Sequence, residues 1–552
     1  MATTSWKLIA ERHQNARAAA IPSQWVLSPA ELERIKTSTT RVIEVLPQLL
    51  PSQVVEITDL TATELAAKIQ DRQYSSVQVA EAFCQRAAVA HQLTNCLTEI
   101  FFADALDQAR RLDHIRDTTG RTVGLLHGVP VSVKDHFNVQ GQPTTAGYIS
   151  YADRPVKDKD AHIVAIMRSA GAVLYAKTNN PQCMMVLETV SHIYGRTLNP
   201  WNTALGAGGS SGGEASLIAQ HGSPLGIASD SGGSIRVPAA FNGLYGFKPS
   251  GKRVPTAGWE CTMAGAESIT AVAGPIARSV QDQELFLQVA LITDPWLQEP
   301  LLALPWRSQT WRLETHKLSV GLMLWDQVVM PHPYITRVLK ETAARLREAG
   351  HQVFDFAPYD HKRAWDEILL PLYFTDGGLD IMQTLAAGNE PILPSAERLL
   401  SDPIVRLRSV NEVWKLNVDR DAYRTEYLQK WAATEEIGSW DRPMDVLLCP
   451  AAPLQGTPHD VKPWWGYCAQ WNLLDYPSGV LPAGRVLESD AYPEGYRPAN
   501  DLDKENAALY DNSVYLGMPV AIQVVALTHQ DEALIGAMNV IDKLVNESRT
   551  RP

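Results

Sequence analysis

Gly206-Ala-Gly-Gly-Ser-Ser-Gly-Gly-Glu-Ala-Ser216 and, shortly after it, Ser229-Asp-Ser-Gly-Gly-Ser-Ile-Arg-Val-Pro238 form the densest glycine region of the chain. A flexible linker would continue in Gly, Ser and polar residues, yet Leu217, Ile218, Leu225 and Ile227 follow at once. A dinucleotide-binding loop requires G-x-G-x-x-G, and position 211 is Ser where the third glycine should fall. A phosphate-binding loop requires Gly-Lys-Ser/Thr, which is missing from the region. Gly208-Gly-Ser210-Ser-Gly212 does match the G-x-S-x-G nucleophile elbow, with Ser210 as nucleophile. An elbow needs a strong strand directly before it, and Asn199 to Ala207 is a poor strand. Its acid and histidine partners would have to come from 61 acidic residues and 14 histidines that carry no spacing signal.

A second reading joins the two glycine islands to a third. Acyl transfer from an amide needs a nucleophile, a base and donors for the developing oxyanion. Asp230-Ser-Gly-Gly-Ser234 offers a hydroxyl preceded by backbone N–H groups that can converge on one point, and its glycines allow close approach to a substrate. Lys134 closes the apolar run Gly128-Val-Pro-Val-Ser-Val-Lys and is the candidate base if neutral. Bringing a lysine from about 10.4 to about 7.5 takes roughly 4 kcal/mol of burial or neighbouring positive charge. The competing assignment is an ion pair between a charged Lys134 and the adjacent Asp135.

Around these islands the chain alternates between helix and strand patterns. Asp59 to Arg111 reads as helices, with Thr61 or Thr63 as a first cap and Glu64 in the opening turn. Ala161 to Ala170 reads as a helix and Ala172 to Tyr175 as a strand. Ser319 to Leu324 is apolar, and Ile335, Val338, Leu339, Thr342 and Leu346 keep helical spacing up to a cap at Gly350. Met444–Cys449, Gly479–Pro482 and Pro519–Leu527 are further strand candidates, and Asp531 to Val545 a final helix. Pro295–Trp311 and Gly484–Asn500 read as long surface connections. This alternation predicts α/β layering, with strand signals continuing almost to the C-terminus.

Net charge is −12 over 552 residues, with no basic run of five. That excludes nucleic acid and anionic membrane as main partners, since both require Lys/Arg patches. No stretch approaches the roughly 20 apolar residues that span a bilayer, and Met1 to Ala20 lacks the apolar core of a secretory signal. The six cysteines show no CxxC pair, which fits a reducing compartment and excludes a zinc ribbon. The chain therefore reads as soluble and cytoplasmic, and the sequon Asn546-Glu547-Ser548 as accidental.

With Lys134-Asp135, Gly208 to Glu214 and Asp230 to Pro238 in this order and spacing, the chain resembles the amidase signature family over nearly its whole length. Gln92-Leu-Thr-Asn-Cys96 and Gly195-Arg-Thr-Leu-Asn-Pro200 are most similar to its fungal acetamidase-type branch. The resemblance implies one α/β domain over 1–552, a large twisted mixed β-sheet sandwiched between layers of α-helices. Residues 1–75 would be a helical extension, 76–290 the catalytic core and 291–552 the rest of the sheet and pocket. It implies Ser234 as nucleophile, Ser210 as a bridging serine after a cis peptide bond, and Lys134 as terminal base. It also implies backbone N–H groups of Ser231, Gly232, Gly233 and Ser234 around the oxyanion, and Met184 on the substrate pocket. Asp230 and Arg236 would fix the loop, with Ser211 as a supporting hydroxyl. Ser231 departs from relatives that carry an apolar residue there. Trp464, Trp465 and Trp471 fit either the pocket or the core. The expected substrate is a small-molecule amide, with no cofactor or metal, and a homodimer is left open. Ester hydrolysis, acyl transfer to an amine, an amidotransferase subunit and an inactive scaffold are the rival functions.

Overall fold

The β-branched run before Lys134 forms a strand (β2, Pro130–Lys134) with every residue buried. Apolar runs of this kind are typical of parallel strands covered on both faces. The computed structural model of the protein describes residues 5–307 and 317–546. Part of the Pro295–Trp311 connection and Glu547-Ser548 of the sequon lie outside the described residues.

Eleven strands make one mixed sheet. Besides β2 they are β1 (Leu97–Ile100), β3 (Val173–Thr178), β4 (Leu225–Asp230), β5 (Tyr245–Lys248), β6 (Val272–Ala277), β7 (Ser319–Leu322), β8 (Gln352–Asp355), β9 (Val446–Cys449), β10 (Ser478–Arg485) and β11 (Pro519–Val525). Their order across the sheet is β1-β3-β2-β4-β6-β5-β10-β11-β9-β7-β8. Strand β2 lies parallel to both β3 and β4, with Ser132 opposite Gly226 and Val133 opposite Ile227. Beyond β4 the sheet turns antiparallel through β6, β5, β10, β11 and β9, and is parallel again at β9-β7-β8.

Alternating side chains of one strand feed cores on opposite faces. Leu174 of β3 packs with the helices His162–Ser169 and Val280–Leu291, whereas Val173 and Tyr175 pack with Ser76–Thr94 and Phe102–Thr119. At the far end Leu448 and Val524 face the helices Pro333–Glu348 and Asp531–Asn546, while Leu447, Cys449 and Val525 face a core that includes Trp431 and Trp471. Helices thus cover both faces, as an α/β sandwich requires. Among the described residues no helix is long and apolar enough to cross a membrane.

Most predicted elements fall within a few residues of those observed. Thr61 caps Ala62–Gln70 in a reciprocal box with Glu64, a pairing that satisfies two otherwise unbonded N–H groups. The helical reading of 59–111 needs one correction. Asn95, at φ 56°, ends Ser76–Thr94, and the four-residue strand β1 intervenes before Phe102–Thr119. Leu-Thr-Glu-Ile is too short to carry a period against the helices on either side.

Gly213 shows why glycine is needed in the first island. A Cβ there would lie 2.3 Å from the backbone N of Asn179 and 2.5 Å from its O, because the helix Gly212–Ala219 starts directly on the chain leaving β3. Backbone cannot yield as a side chain can. Gly213→Ala is expected to destabilise the protein by about 1–3 kcal/mol, read as a lowered thermal midpoint against Gly206→Ala, where the backbone is not left-handed and the nearest atom to the added carbon lies at 3.6 Å.

Candidate active site

Parallel pairing brings the carboxyl ends of β2 and β4 together, and with them Lys134 and Ser229. Open α/β sheets commonly place their sites at such strand ends. Lys134 is completely buried, with its Nζ 2.6 Å from Ser210 Oγ and 3.0 Å from Ser229 Oγ. Burial brings its pKa down to about 7, against the opposing pull of Asp230 and Glu214. Asp135 is not its counter-ion. That carboxylate lies 3.2 Å from Lys177 Nζ and accepts from the N–H and Oγ1 of Thr145 at 3.1 and 2.5 Å. The ion-pair assignment for Lys134 therefore fails.

Ser210 stands between a short hairpin (Leu198–Asn199 with Asn202–Gly206) and the helix Gly212–Ala219, and its peptide bond to Gly209 is cis. The hairpin is not part of the eleven-stranded sheet. Ser210 consequently lacks the sheet strand that an elbow needs. Ser211 N donates to the carbonyl of Ser234 at 3.2 Å and its Oγ approaches the Ser229 carbonyl at 3.5 Å, tying the first island to the second.

Asp230 organises the Asp230–Ser234 turn. Its Oδ1 accepts from Gly233 N at 2.8 Å, Arg236 Nη2 at 2.9 Å and Asn472 Nδ2 at 3.0 Å; its Oδ2 accepts from Ile235 N at 3.1 Å and Arg236 Nε at 3.0 Å. Burial alone would raise this carboxyl, but the Arg236 charge and hydrogen bonds, with that of Asn472, hold it well below the usual carboxylate range. Arg236, also fully buried, spends its remaining donors on the Cys468 carbonyl, Gln523 Oε1 and Asn472 Oδ1 at 2.9, 3.0 and 2.6 Å. One expectation changes here. Because Gly233 N already donates to Asp230, the candidate oxyanion donors narrow to the N–H groups of Ser231, Gly232 and Ser234.

A cavity of about 570 Å³ opens on these groups, with Ser210, Ser229, Asp230, Ser231 and Ser234 on its wall. Met184, Met185, Val254, Ile269 and Leu372 make much of the remainder apolar, and Trp259 stacks on His136 at 5.3 Å between ring centroids. Met184 reaches the cavity from a turn in which both it and Cys183 have positive φ, 54° and 60°, an uncommon pair of conformations for side-chain-bearing residues. Lys134, Ser211, Gly232, Gly233 and Arg236 lie behind the wall.

Sequence reasoning missed two residues here. Ser229, quoted but unassigned, is the second hydroxyl on Lys134. Tyr373 donates from Oη to the Ser231 carbonyl at 2.5 Å and stacks on Trp465 with rings 5.7 Å apart and 16° from parallel. A Cβ on Gly232 would meet the Tyr373 hydroxyl at 2.9 Å and the Trp465 indole at 3.1 Å, so both rings press on the loop. Trp464 instead donates to Asp326 at 2.6 Å, and Trp471 packs edge-on to His361 and Tyr427 in the core. Nothing in the spacing of Tyr373, 142 residues from Ser231, marks it in advance. Asp230→Asn would leave the buried Arg236 without its charge partner. A loss of about 3–5 kcal/mol is expected, measured by thermal unfolding beside Asp153→Asn, whose carboxylate is exposed.

The family described as Amidase matches residues 78–535. The chain is 43% identical to an amidase of Gibberella zeae, over 98% of this chain and 99% of that one. It is 38% identical to an acetamidase of Aspergillus oryzae over 99% of this chain and all of the other. Among solved structures, a fatty acid amide hydrolase superposes with a TM-score of 0.92 at 32% identity, covering 99% of this chain and 96% of its own.

Proposed function

The chain belongs to the amidase family, enzymes that hydrolyse amides, and from that premise we propose that it cleaves a carboxamide through an acyl-enzyme on Ser234, with Ser210 as proton bridge and Lys134 as base. The observation that carries this reading is a lysine buried with no carboxylate in ion-pair contact among the described residues, its amine 2.6 Å from a serine hydroxyl that shares a cavity wall with a second serine. Neutral Lys134 takes the Ser210 proton while Ser210 takes that of Ser234, and Ser234 Oγ attacks the carbonyl carbon. The N–H groups of Ser231, Gly232 and Ser234 receive the oxyanion. As the C–N bond breaks, the proton on Lys134 returns through Ser210 to the leaving nitrogen, and ammonia or an amine departs. Water attacks the ester by the same relay, releasing the carboxylate and restoring Ser234. Ser229 holds the second face of the amine and keeps its lone pair directed at Ser210.

The cavity supports a substrate larger than acetamide. A space of about 570 Å³ with methionine, leucine, isoleucine and tryptophan on its wall lies in the usual range for drug-sized ligands. It suits an amide with an extended aliphatic or aromatic group, in line with the larger of the two substrate types in the relatives' names.

Incubation with a fluorophosphonate followed by mass spectrometry is expected to place the label on Ser234, and label elsewhere would refute the assignment. Turnover should fall at least a thousandfold in Ser234→Ala and in Lys134→Ala. Because the working form of Lys134 is neutral and its pKa is about 7, kcat/KM should rise about tenfold per pH unit below pH 7 and level off above it.

Tyr373 lines the cavity, and its bond to the Ser231 carbonyl assigns it a role through the loop. Holding the Ser231 carbonyl fixes the plane of the following peptide, whose N–H, that of Gly232, points to the opposite side. Removing one oxyanion donor typically costs a hundredfold to a thousandfold, and loosening one costs less. Tyr373→Phe is expected to lower kcat roughly tenfold with little change in KM, and to weaken a tetrahedral-adduct-forming ketone inhibitor in proportion. Equal weakening of substrate binding would assign Tyr373 to ground-state binding instead.

A further inference from the structure

Glu214, in the first turn of Gly212–Ala219, is completely buried beside the strands that carry Lys134 and Ser229. Its Oε2 lies 2.5 Å from Ser132 Oγ, and its Oε1 accepts from Thr178 Oγ1 at 2.9 Å. Ser132 Oγ is also 2.9 Å from Ser223 Oγ, which is in turn 3.0 Å from the carbonyl of Leu225. Gly226 leaves room for the carboxyl, since a Cβ there would stand 2.1 Å from Oε2.

A count of protons bears on the charge of this group. Three oxygen–oxygen contacts run in series, from Glu214 to Ser132, from Ser132 to Ser223, and from Ser223 to the Leu225 carbonyl. Each serine hydroxyl has one proton to give, and the terminal carbonyl has none. Ser223 gives its proton to Leu225, and Ser132 gives its own to Ser223. The remaining contact, the shortest at 2.5 Å, is then filled when the carboxyl donates, so that all three contacts carry a proton. The ionised alternative has Ser132 donating to Glu214 and leaves the Ser132–Ser223 or the Ser223–Leu225 contact without one. We propose that Glu214 is a neutral carboxylic acid in the resting enzyme, the first donor of the relay Glu214–Ser132–Ser223–Leu225, and that it fixes the strand end bearing Lys134 without offering that amine a counter-ion.

The surroundings are consistent with a neutral acid. No Arg or Lys makes an ion pair with Glu214 among the described residues. The titratable groups that face it are Lys134 on β2, Tyr175 on β3 and Cys96 ahead of β1. Burial pushes its carboxyl up to about 8, outweighing the hydroxyl donors and Lys134, which act the other way. Glu214 is thus a positioning residue. An ionised Glu214 would add its charge to the pull of Asp230 on the amine, whereas an acid shapes the site without that added charge.

The inference deepens the assignment of Lys134 as base, but its first test does not depend on it. In infrared difference spectra at pH 6.5, subtracting Glu214→Gln from the parent enzyme should leave one protonated-carboxyl carbonyl band. In Ser132→Ala that band should persist and move to higher frequency as its hydrogen bond is lost. A carboxylate band pair in place of the carbonyl band would overturn the proposal. The second test is the acid limb of the kcat/KM profile. With Glu214 neutral, its midpoint in Glu214→Gln stays within about 0.3 pH unit of the parent, because no charge near Lys134 has been removed. A fall of one unit or more, the size of effect an adjacent carboxylate exerts, would overturn the proposal. Full turnover in Lys134→Ala would instead refute the base assignment while leaving the infrared result standing.

Discussion

An amine held in the interior between two hydroxyls, with no carboxylate ion-paired to it among the described residues, is the constraint around which this site is arranged. A charged lysine seeks a counter-ion, and burying one unpaired is costly enough that it sheds its proton instead. The acids nearest Lys134 in sequence and space are each engaged elsewhere. Asp135 is paired with Lys177, Asp230 with Arg236, and Glu214 is bonded through hydroxyls. What remains for the amine is Ser210 on one side and Ser229 on the other. Basicity at neutral pH is therefore a property of how neighbouring charges are partnered, and less of the lysine itself.

The same economy governs the loop that carries Ser234. A turn of Asp-Ser-Gly-Gly-Ser has little intrinsic order, and glycine makes it costly to fix. Asp230 repays that cost from inside by capping Gly233 and Ile235, and Arg236 keeps the capping carboxylate charged in a site that would otherwise neutralise it. A buried pair of this kind is weak evidence of stability by itself. Its value here is geometric, because the carboxylate's five hydrogen bonds leave the turn one arrangement.

Much of this was legible from the chain alone. The run before Lys134 announced a buried strand, the glycine islands announced close backbone approach, and their order carried the family resemblance and hence the expected α/β sandwich. Local signals also misled. By motif, Ser210 looked like an elbow nucleophile; the poor strand pattern before it argued against that, and its place after an isolated hairpin agrees. By adjacency, Asp135 looked like the partner of Lys134, yet neighbours along a strand point to opposite faces, and Asp135 turns to Lys177. The strand β1 stayed hidden because four residues between two long helices carry no period. Gly233 looked like an oxyanion donor because the sequence cannot show that its N–H is already engaged.

What could not be read is the second half of the chain's part in the site. Tyr373, Trp465, Cys468, Asn472 and Gln523 all bear on the Asp230–Arg236 segment, from 137 to 287 residues away. They arrive because β10 pairs with β5 and β11 with β10, which closes the second run of strands onto the first across the middle of the sheet. Spacing within a motif records only what the motif supplies to itself. In the proposed mechanism the first half of the chain provides the reacting groups, and the second provides the rings and donors that hold the loop still. A change near residue 373 or 465 should therefore act on the oxyanion side of the reaction although it lies far from the islands in sequence, and no pattern confined to residues 134–238 can represent that dependence.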